Sequence, residues 1–196
     1  MKIWSSNHTF SYSWESISQA AWRKYPNPMN PNVVGTDVLS RRVDDSGRLH
    51  THRVITTAQW PFPDFVSRLI GFDKRCYVTE YSIIDPATKT MTLRSKNVTL
   101  ASWMAVEETL IYQEHPDDAN KTLLTQEAQI FGSSALGIPS YFEGLVVDGM
   151  SSNASKGREA MDWVCKKIMA EMQDLAAGAQ QLGAAMGFSS DTQSSV

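Results

Sequence analysis

The most regular apolar pattern lies near the C-terminus, where residues 140–181 repeat apolar side chains at the spacing of an α-helix. Ser140 can cap this helix, and Glu143 three residues later completes a capping box. A helix of that extent is about 60 Å long, which exceeds the width of a small domain. The apolar stripe consists of Phe142, Leu145, Val146, Met150, Met161, Val164, Ile168, Met172 and Leu175.

Small and polar residues interrupt this stripe in its middle. At about 100° per residue, Asn153, Lys156 and Gly157 project close to the direction of the stripe's first members. The gap predicts one wall of a cavity for a ligand with a polar head and an apolar body. The alternative is local polarity near a helix end, with Lys156 simply reaching to water. The predicted cavity-lining residues are Val146, Gly149, Met150 and Gly157.

Upstream of this helix, seven β-prone segments and one short helical segment follow one another through connections that are mostly of hairpin length. Such a series predicts an antiparallel meander, which curls at this size and needs one face covered. We therefore expect an α+β, helix-grip-like fold, in which a seven-stranded antiparallel curved sheet grips the long C-terminal helix. The predicted strands cover 2–12, 33–43, 49–59, 75–84, 90–100, 104–114 and 122–131, and the short N-terminal helix covers 13–24.

The stretch between the third and fourth strands is strongly apolar and begins with prolines. Cations flank its aromatic and aliphatic residues, a composition that suits contact with an anionic membrane surface. A short helix that merely packs on the end of the sheet is an equal alternative. The residues expected to form this lid and touch the membrane are Trp60, Phe62, Phe65, Leu69 and Ile70.

Length and charge narrow the class of protein. At 196 residues, one domain is expected, which we place at residues 1–176, with a disordered Ser- and Gln-rich tail at 182–196. The net charge of −3 argues against a general nucleic-acid binder. No apolar run is long enough to span a membrane, and the N-terminus lacks an obvious cleavable presequence. Cys76 and Cys165 do not have the spacing of metal ligands, and they do not show whether the protein works in an oxidising or a reducing compartment.

The sequence contains no motif of a known catalytic or cofactor-binding type. His50 and His52 share one strand face, but a third metal ligand is missing, and exposed strand residues are the favoured interpretation. Glu107 and Glu108 are adjacent on a strand and face opposite ways, which is wrong for an acid–base pair. We therefore predict a protein without catalytic residues, metal or cofactor.

Four segments of the chain resemble the PRELI family, and its Slowmo branch in particular. The resemblance runs in one register from residue 1 to about residue 173. Its motifs are long and specific, which makes chance similarity improbable. The segments that carry it are 2–6 (KIWSS), 24–31 (KYPNPMNP), 124–128 (LTQEA) and 151–161 (SSNASKGREAM).

The resemblance implies a phospholipid-transfer protein of the mitochondrial intermembrane space that carries lipid between the outer and inner membranes. Such proteins work as heterodimers with a small helical twin-Cys-x9-Cys protein. The PRELI branch proper moves phosphatidic acid, whereas the Slowmo branch is linked to phosphatidylserine. The resemblance also implies that the loop after the third strand serves as the lid.

The family's headgroup positions correspond here to Lys24, Arg53, Asn153 and Lys156. The phosphatidic-acid carriers have lysines at two further positions, near the end of the third strand and one turn before the helix asparagine. This chain has Thr57 and Gly149 there. The lower positive charge favours phosphatidylserine, whose headgroup carries its own ammonium. A phosphatidic-acid carrier of the same fold and a non-transporting adaptor or signalling protein are the alternatives.

Overall fold

A computed structural model describes residues 1–58, 75–132 and 140–185, apart from the side chains of 140–146 and 183–185. The order of elements is the predicted one: a strand, a short helix, six strands and a long helix. The strands are β1 (Lys2–Phe10), β2 (Val33–Val43), β3 (Leu49–Thr57), β4 (Cys76–Asp85), β5 (Thr90–Asn97), β6 (Met104–His115) and β7 (Asp118–Gly132). The helices are α1 (Trp14–Trp22) and α2 (Ser140–Ala185).

The described strands form one seven-stranded curved sheet in the order β1-β7-β6-β5-β4-β3-β2, with every neighbouring pair antiparallel. Strands β2 to β7 follow one another as a meander, and β1 returns to pair with β7. Helix α2 packs with α1 on one face of this sheet. The predicted fold class is therefore confirmed.

The hydrophobic core lies where α1 and the middle of α2 meet the sheet. Ile17 of α1 and Met161 and Val164 of α2 are almost completely buried, together with Met91 and Leu124 from the strands. Ser13 caps α1 as predicted, since its hydroxyl accepts a hydrogen bond from the amide of Ser16 at 3.4 Å. This core fixes the position of α2 above the sheet.

Several predicted element ends differ from the structure by a few residues, and two differences are informative. Strand β7 begins at Asp118 rather than Thr122, because the connection from β6 is a tight turn beside a register shift at His115. The predicted apolar stripe of α2 extends too far, since Met172 and Leu175 are 64% and 74% exposed. The last part of α2 therefore lies beyond the edge of the core.

The predicted tail falls partly within this helix. Helix α2 runs to Ala185, so residues 182–185 are helical, and residues 186–196 lie outside the described part of the chain. The proposed cap at Ser140 involves side chains that are also outside it. None of the described helices combines the length and the apolar character needed to cross a membrane.

Candidate functional site

A cavity of about 260 Å³ lies between the sheet and helix α2. Its walls come from both layers, because alternate residues of each strand face α2. Apolar side chains are the largest group in its lining, and neutral polar and charged side chains form two smaller groups. The apolar ones include Phe10, Val33, Ile55, Val78, Leu93, Val106, Leu110, Leu124, Met150 and Met161.

Lys24 enters this cavity from the end of α1, as predicted from its place before the proline-rich loop. Its Nζ lies 3.4 Å from the point that a Cβ atom at Gly157 would occupy. A residue without a side chain on α2 therefore lets the ammonium group approach the helix. The same loop is fixed to α2 by Asn27, whose Nδ2 donates a hydrogen bond to the Ala160 carbonyl at 3.1 Å.

Arg53 lines the cavity from β3, and its charge is already partnered. Its Nε and one terminal nitrogen each lie 2.7 Å from Oε1 of Glu80 on the adjacent strand β4. Both side chains are about nine-tenths buried. A buried ion pair of this geometry is rigid, because separating the partners would leave an uncompensated charge.

Asn153 lines the cavity from α2 and is exposed, so it lies where the cavity opens to solvent. Lys156 is half-buried but is not among the lining residues of the described chain, and Arg158 lines the cavity instead. The reason is rotational. Ala154, Gly157 and Met161 share the helix face that points to the sheet. Lys156 lies about 100° around the helix from Gly157, on the side away from Ala154 and Met161.

Two carboxylates in the cavity were not singled out from the sequence. Glu80 on β4 and Glu108 on β6 both line it, and Gln126 Nε2 donates a 2.7 Å hydrogen bond to Glu108. The sequence contains a signal that places Glu108 in the cavity. Glu108 lies two residues from Val106 and from Leu110 on β6, so it shares their inward-facing side of the strand. The prediction that Glu107 faces the opposite way is confirmed, because its carboxylate pairs with Lys96 outside.

The charged groups of the cavity shift one another's pKa values. Burial, the largest effect, raises the pKa of Glu108, and the charge of Glu80 adds to it, although Gln126 and Lys24 act in the opposite direction. Burial likewise raises the pKa of Tyr112 to about 12. Both changes reflect the cost of holding a negative charge away from water.

Lys24 keeps its positive charge despite its surroundings. Burial by itself lowers its pKa, but Tyr25, Tyr112, Glu80 and Glu108 together raise the pKa above its ordinary value. Because phenols are neutral at pH 7, the attraction at that pH comes from the two carboxylates. The described lining thus holds three cations, Lys24, Arg53 and Arg158, against two carboxylates.

The remaining predicted site residues have different outcomes. Gly149, Met150 and Gly157 line the cavity. The side chain of Val146 lies outside the described part of the structure. So do the expected lid residues, namely Trp60, Phe62, Phe65, Leu69 and Ile70.

The histidine pair on β3 has a structural explanation. His50 is largely buried and contacts the Tyr81 hydroxyl and the Asp44 carboxylate, and His52 contacts Thr79 at 2.7 Å. The interpretation of His50 as a freely exposed strand residue was therefore wrong. Among the residues that the structure describes, no cluster of His, Cys, Asp and Glu could hold a metal ion.

The sequence also matches a known protein family. The family model described as PRELI-like matches residues 15–171, which include every described residue that lines the cavity except Phe10. The chain belongs to the PRELI-like family.

Individual members of this PRELI-like family align over most of their length. A UPS-like protein of Schizosaccharomyces pombe is 37% identical over 86% of this chain and 91% of its own. Protein UPS2, mitochondrial, of Saccharomyces cerevisiae is also 37% identical, over 84% of this chain and 72% of its own. The Dictyostelium discoideum protein slowmo homolog is 31% identical over 85% and 72%.

Solved structures with the same fold are distant in sequence. A protein of Thermus thermophilus superposes with a TM-score of 0.58 and 12% identity, over 85% of this chain and 99% of its own. The Streptomyces aromatase/cyclase Zhui superposes with a TM-score of 0.59 and 11% identity, over 85% and 94%. At such identities the likeness concerns the PRELI-like fold alone.

Proposed function

We propose that this PRELI-like chain is a carrier that encloses one glycerophospholipid and transfers it between the two mitochondrial membranes. Phosphatidylserine is its preferred cargo, and the protein performs no reaction on it. The observation that carries the proposal is the cavity between sheet and α2, which combines apolar walls with three buried or half-buried cations. An amphipathic anion is the ligand that such a lining accommodates.

The energetic task of a carrier explains the apolar walls. A diacyl lipid holds about 30 methylenes, each worth about 0.8 kcal/mol out of water, so free transfer faces a barrier above about 20 kcal/mol. A carrier lowers this barrier by offering the chains an apolar lining. The volume bounded by the described residues is about 260 Å³, which suits the headgroup end of the lipid rather than both chains.

The polar end of the lipid would meet the cations of the lining. Lys24, Arg53, Asn153 and Arg158 supply charge-assisted hydrogen bonds to the phosphate in a partly dry site. Lys156 remains a candidate from the family resemblance, but its place on α2 favours Arg158. Comparing the two variants Arg158→Gln and Lys156→Gln therefore tests the assignment.

The preference for phosphatidylserine rests on two uncharged positions. Thr57 and Gly149 occupy the places where the family resemblance expects lysines in phosphatidic-acid carriers, and both line the cavity. With only three lining cations against two carboxylates, the described site suits a headgroup that brings its own ammonium.

The cellular setting is part of the proposal. The name of the yeast relative, protein UPS2, mitochondrial, supports a mitochondrial location, which we assign to the intermembrane space. We propose that residues 1–176 are the lipid-binding domain and that its partner is a small helical twin-Cys-x9-Cys protein. The lid residues Trp60, Phe62, Phe65, Leu69 and Ile70 would touch the anionic membrane surface.

Lipid transfer between vesicles tests the proposal directly. Donor vesicles would carry fluorescent phosphatidylserine or phosphatidic acid, and the protein would be supplied with its partner. We expect catalytic amounts of protein to move phosphatidylserine faster than phosphatidic acid. Native mass spectrometry of the protein purified from cells should show a bound phospholipid and identify its headgroup.

Variants separate the carrier from its alternatives. Arg158→Gln should slow transfer about tenfold, through loss of a charge-assisted contact, while Lys156→Gln changes it little. Faster movement of phosphatidic acid would favour the carrier of that lipid instead. If no lipid co-purifies and no transfer occurs, the adaptor hypothesis is the better one.

A further inference from the structure

A row of polar residues crosses the cavity face of the sheet beneath α2. In the strand register, Arg53 is paired with Glu80, Glu80 with Ser95, and Ser95 with Glu108. All four side chains line the cavity. Because neighbouring strands lie about 4.8 Å apart, the row extends over about 14 Å. Its charges run positive, negative, neutral and negative.

The two carboxylates of this row have different partners. Glu80 accepts a hydrogen bond from Arg53 Nε, forms an ion pair with the same guanidinium and is neutralised by it. Glu108 accepts only from neutral groups, the Gln126 amide at 2.7 Å and the Ser95 hydroxyl at 3.5 Å. Within the part of the chain that the structure describes, no lysine or arginine nitrogen lies within 4 Å of Glu108. Glu108 is therefore an acceptor held in place without a direct ion pair, although the charge of Lys24 attracts it from a longer distance.

A half-buried carboxylate of this kind can be satisfied by a cation that a ligand brings with it. A primary ammonium group has three donors and no acceptor, so it complements a carboxylate that neutral donors already orient. The cations Lys24 and Arg158 line the same cavity and are available to the phosphate. A headgroup with both an ammonium and a phosphate can therefore satisfy both sets of charges at once.

We propose that Glu108 binds the ammonium group of the lipid headgroup and is the residue that selects aminophospholipids over phosphatidic acid. This inference rests on the proposed transfer function and deepens it. Phosphatidic acid has no ammonium, so it would leave Glu108 without a ligand cation. It would also bring a phosphate charge that no ammonium of its own offsets. Selection thus arises from an unfavourable pairing as well as a favourable one.

The test uses the full-length protein with its partner and the substitution Glu108→Gln, which removes the charge and keeps the shape. Donor vesicles would contain labelled phosphatidylserine, phosphatidylethanolamine or phosphatidic acid. We expect the ratio of phosphatidylserine to phosphatidic-acid transfer to fall about tenfold or more, the usual effect of losing a hydrogen bond to a charged group. The ratio of phosphatidylethanolamine to phosphatidic-acid transfer should fall as well.

The adjacent residue supplies a matched control. Glu107→Gln makes the same chemical change on the same strand, but on the outer face, where the carboxylate pairs with Lys96. It should leave the transfer ratio unchanged. Glu108→Asp keeps the charge and should keep a preference for phosphatidylserine.

Each result has a definite meaning. The role of Glu108 is overturned if Glu108→Gln leaves the transfer ratio unchanged. It is also overturned if Glu108→Gln slows all three lipids equally and Glu108→Asp loses the preference for phosphatidylserine. Either result leaves the transfer function standing. A wild-type protein that moves none of the lipids overturns the proposed function itself. A wild-type protein that prefers phosphatidic acid overturns both.

Discussion

At the scale of single residues, Gly157 stands out because a side chain there would meet Lys24. The ammonium group lies 3.4 Å from the position of a Cβ atom, which is ordinary van der Waals contact. An alanine would therefore fit, whereas a longer side chain would have to displace the ammonium or fill the cavity. Glycine is a poor helix former, so helix propensity does not explain its place in α2, where it keeps the space beside the ammonium group open.

We therefore predict that Gly157→Leu slows lipid transfer about tenfold or more while the protein stays folded. The matched control is Gly178→Leu, because Gly178 is in the same helix and a Cβ there meets nothing within 4 Å. Both variants gain helix propensity of about 0.5–1 kcal/mol. Vesicle transfer and urea unfolding measure the two effects, and equal transfer by both variants would contradict the role of Gly157.

Sequence reasoning placed some site residues and missed others for a physical reason. Lys24 was identified through the family resemblance, because the Tyr-Pro-Asn-Pro motif that follows it is specific in sequence. Glu80 and Glu108 were missed although strand alternation places them inward, because carboxylates are normally taken as surface residues. Their surroundings include Arg53, Gln126 and the helix above, which come together only in three dimensions.

At the scale of elements, the loop after α1 is held by one buried amide. Asn27 is 4% exposed, donates to the Ala160 carbonyl at 3.1 Å and accepts from the Met29 amide at 2.9 Å. One side chain thus orders its own loop and joins it to α2. This gives the asparagine of the Tyr-Pro-Asn-Pro motif a structural role beside the cavity.

We expect Asn27→Ala to lower the free energy of unfolding by about 1–3 kcal/mol, because it removes a buried amide and both of its hydrogen bonds. Urea denaturation measures the change. Asn120→Ala is the control, since Asn120 is exposed near the start of β7, and its effect should stay within about 0.5 kcal/mol. If the two substitutions destabilise equally, the loop is held by other contacts.

The strands and helices were predicted well, and their ends less so. Alternation along each strand and the turn residues between strands carry the local information that determines a meander. The far end of α2 was misjudged because periodicity says where a helix is apolar, not where the sheet beneath it ends. Met172 and Leu175 continue the stripe, yet they are exposed beyond Ile168, which is 8% exposed.

At the scale of the whole molecule, the cavity opposes stability. A protein of this size normally fills its interior with side chains, and charged groups there are disfavoured. Here the lining of the described cavity includes five charged side chains, namely Lys24, Arg53, Glu80, Glu108 and Arg158. A site kept ready for a polar headgroup is therefore expected to reduce the stability of the empty protein.

Glu108 allows this trade-off to be measured through pH. Its pKa is raised in the folded protein, mainly by burial, so the folded state binds the proton more tightly than the unfolded state does. The stability contributed by the protonated form is complete below the unfolded pKa of about 4.3 and is lost as pH rises through the folded value. Glutamine resembles the protonated form at every pH.

We predict that Glu108→Gln unfolds at the same urea concentration as the wild type near pH 4 and at a higher one at pH 8. The difference should appear as pH rises above the ordinary glutamate pKa, because only the wild type then carries a charge at this poorly solvated position. Glu107→Gln is the matched control, because that carboxylate lies on the outer face beside Lys96. Added phosphatidylserine should reduce the difference at pH 8, because its ammonium gives the wild-type carboxylate the partner that glutamine cannot use.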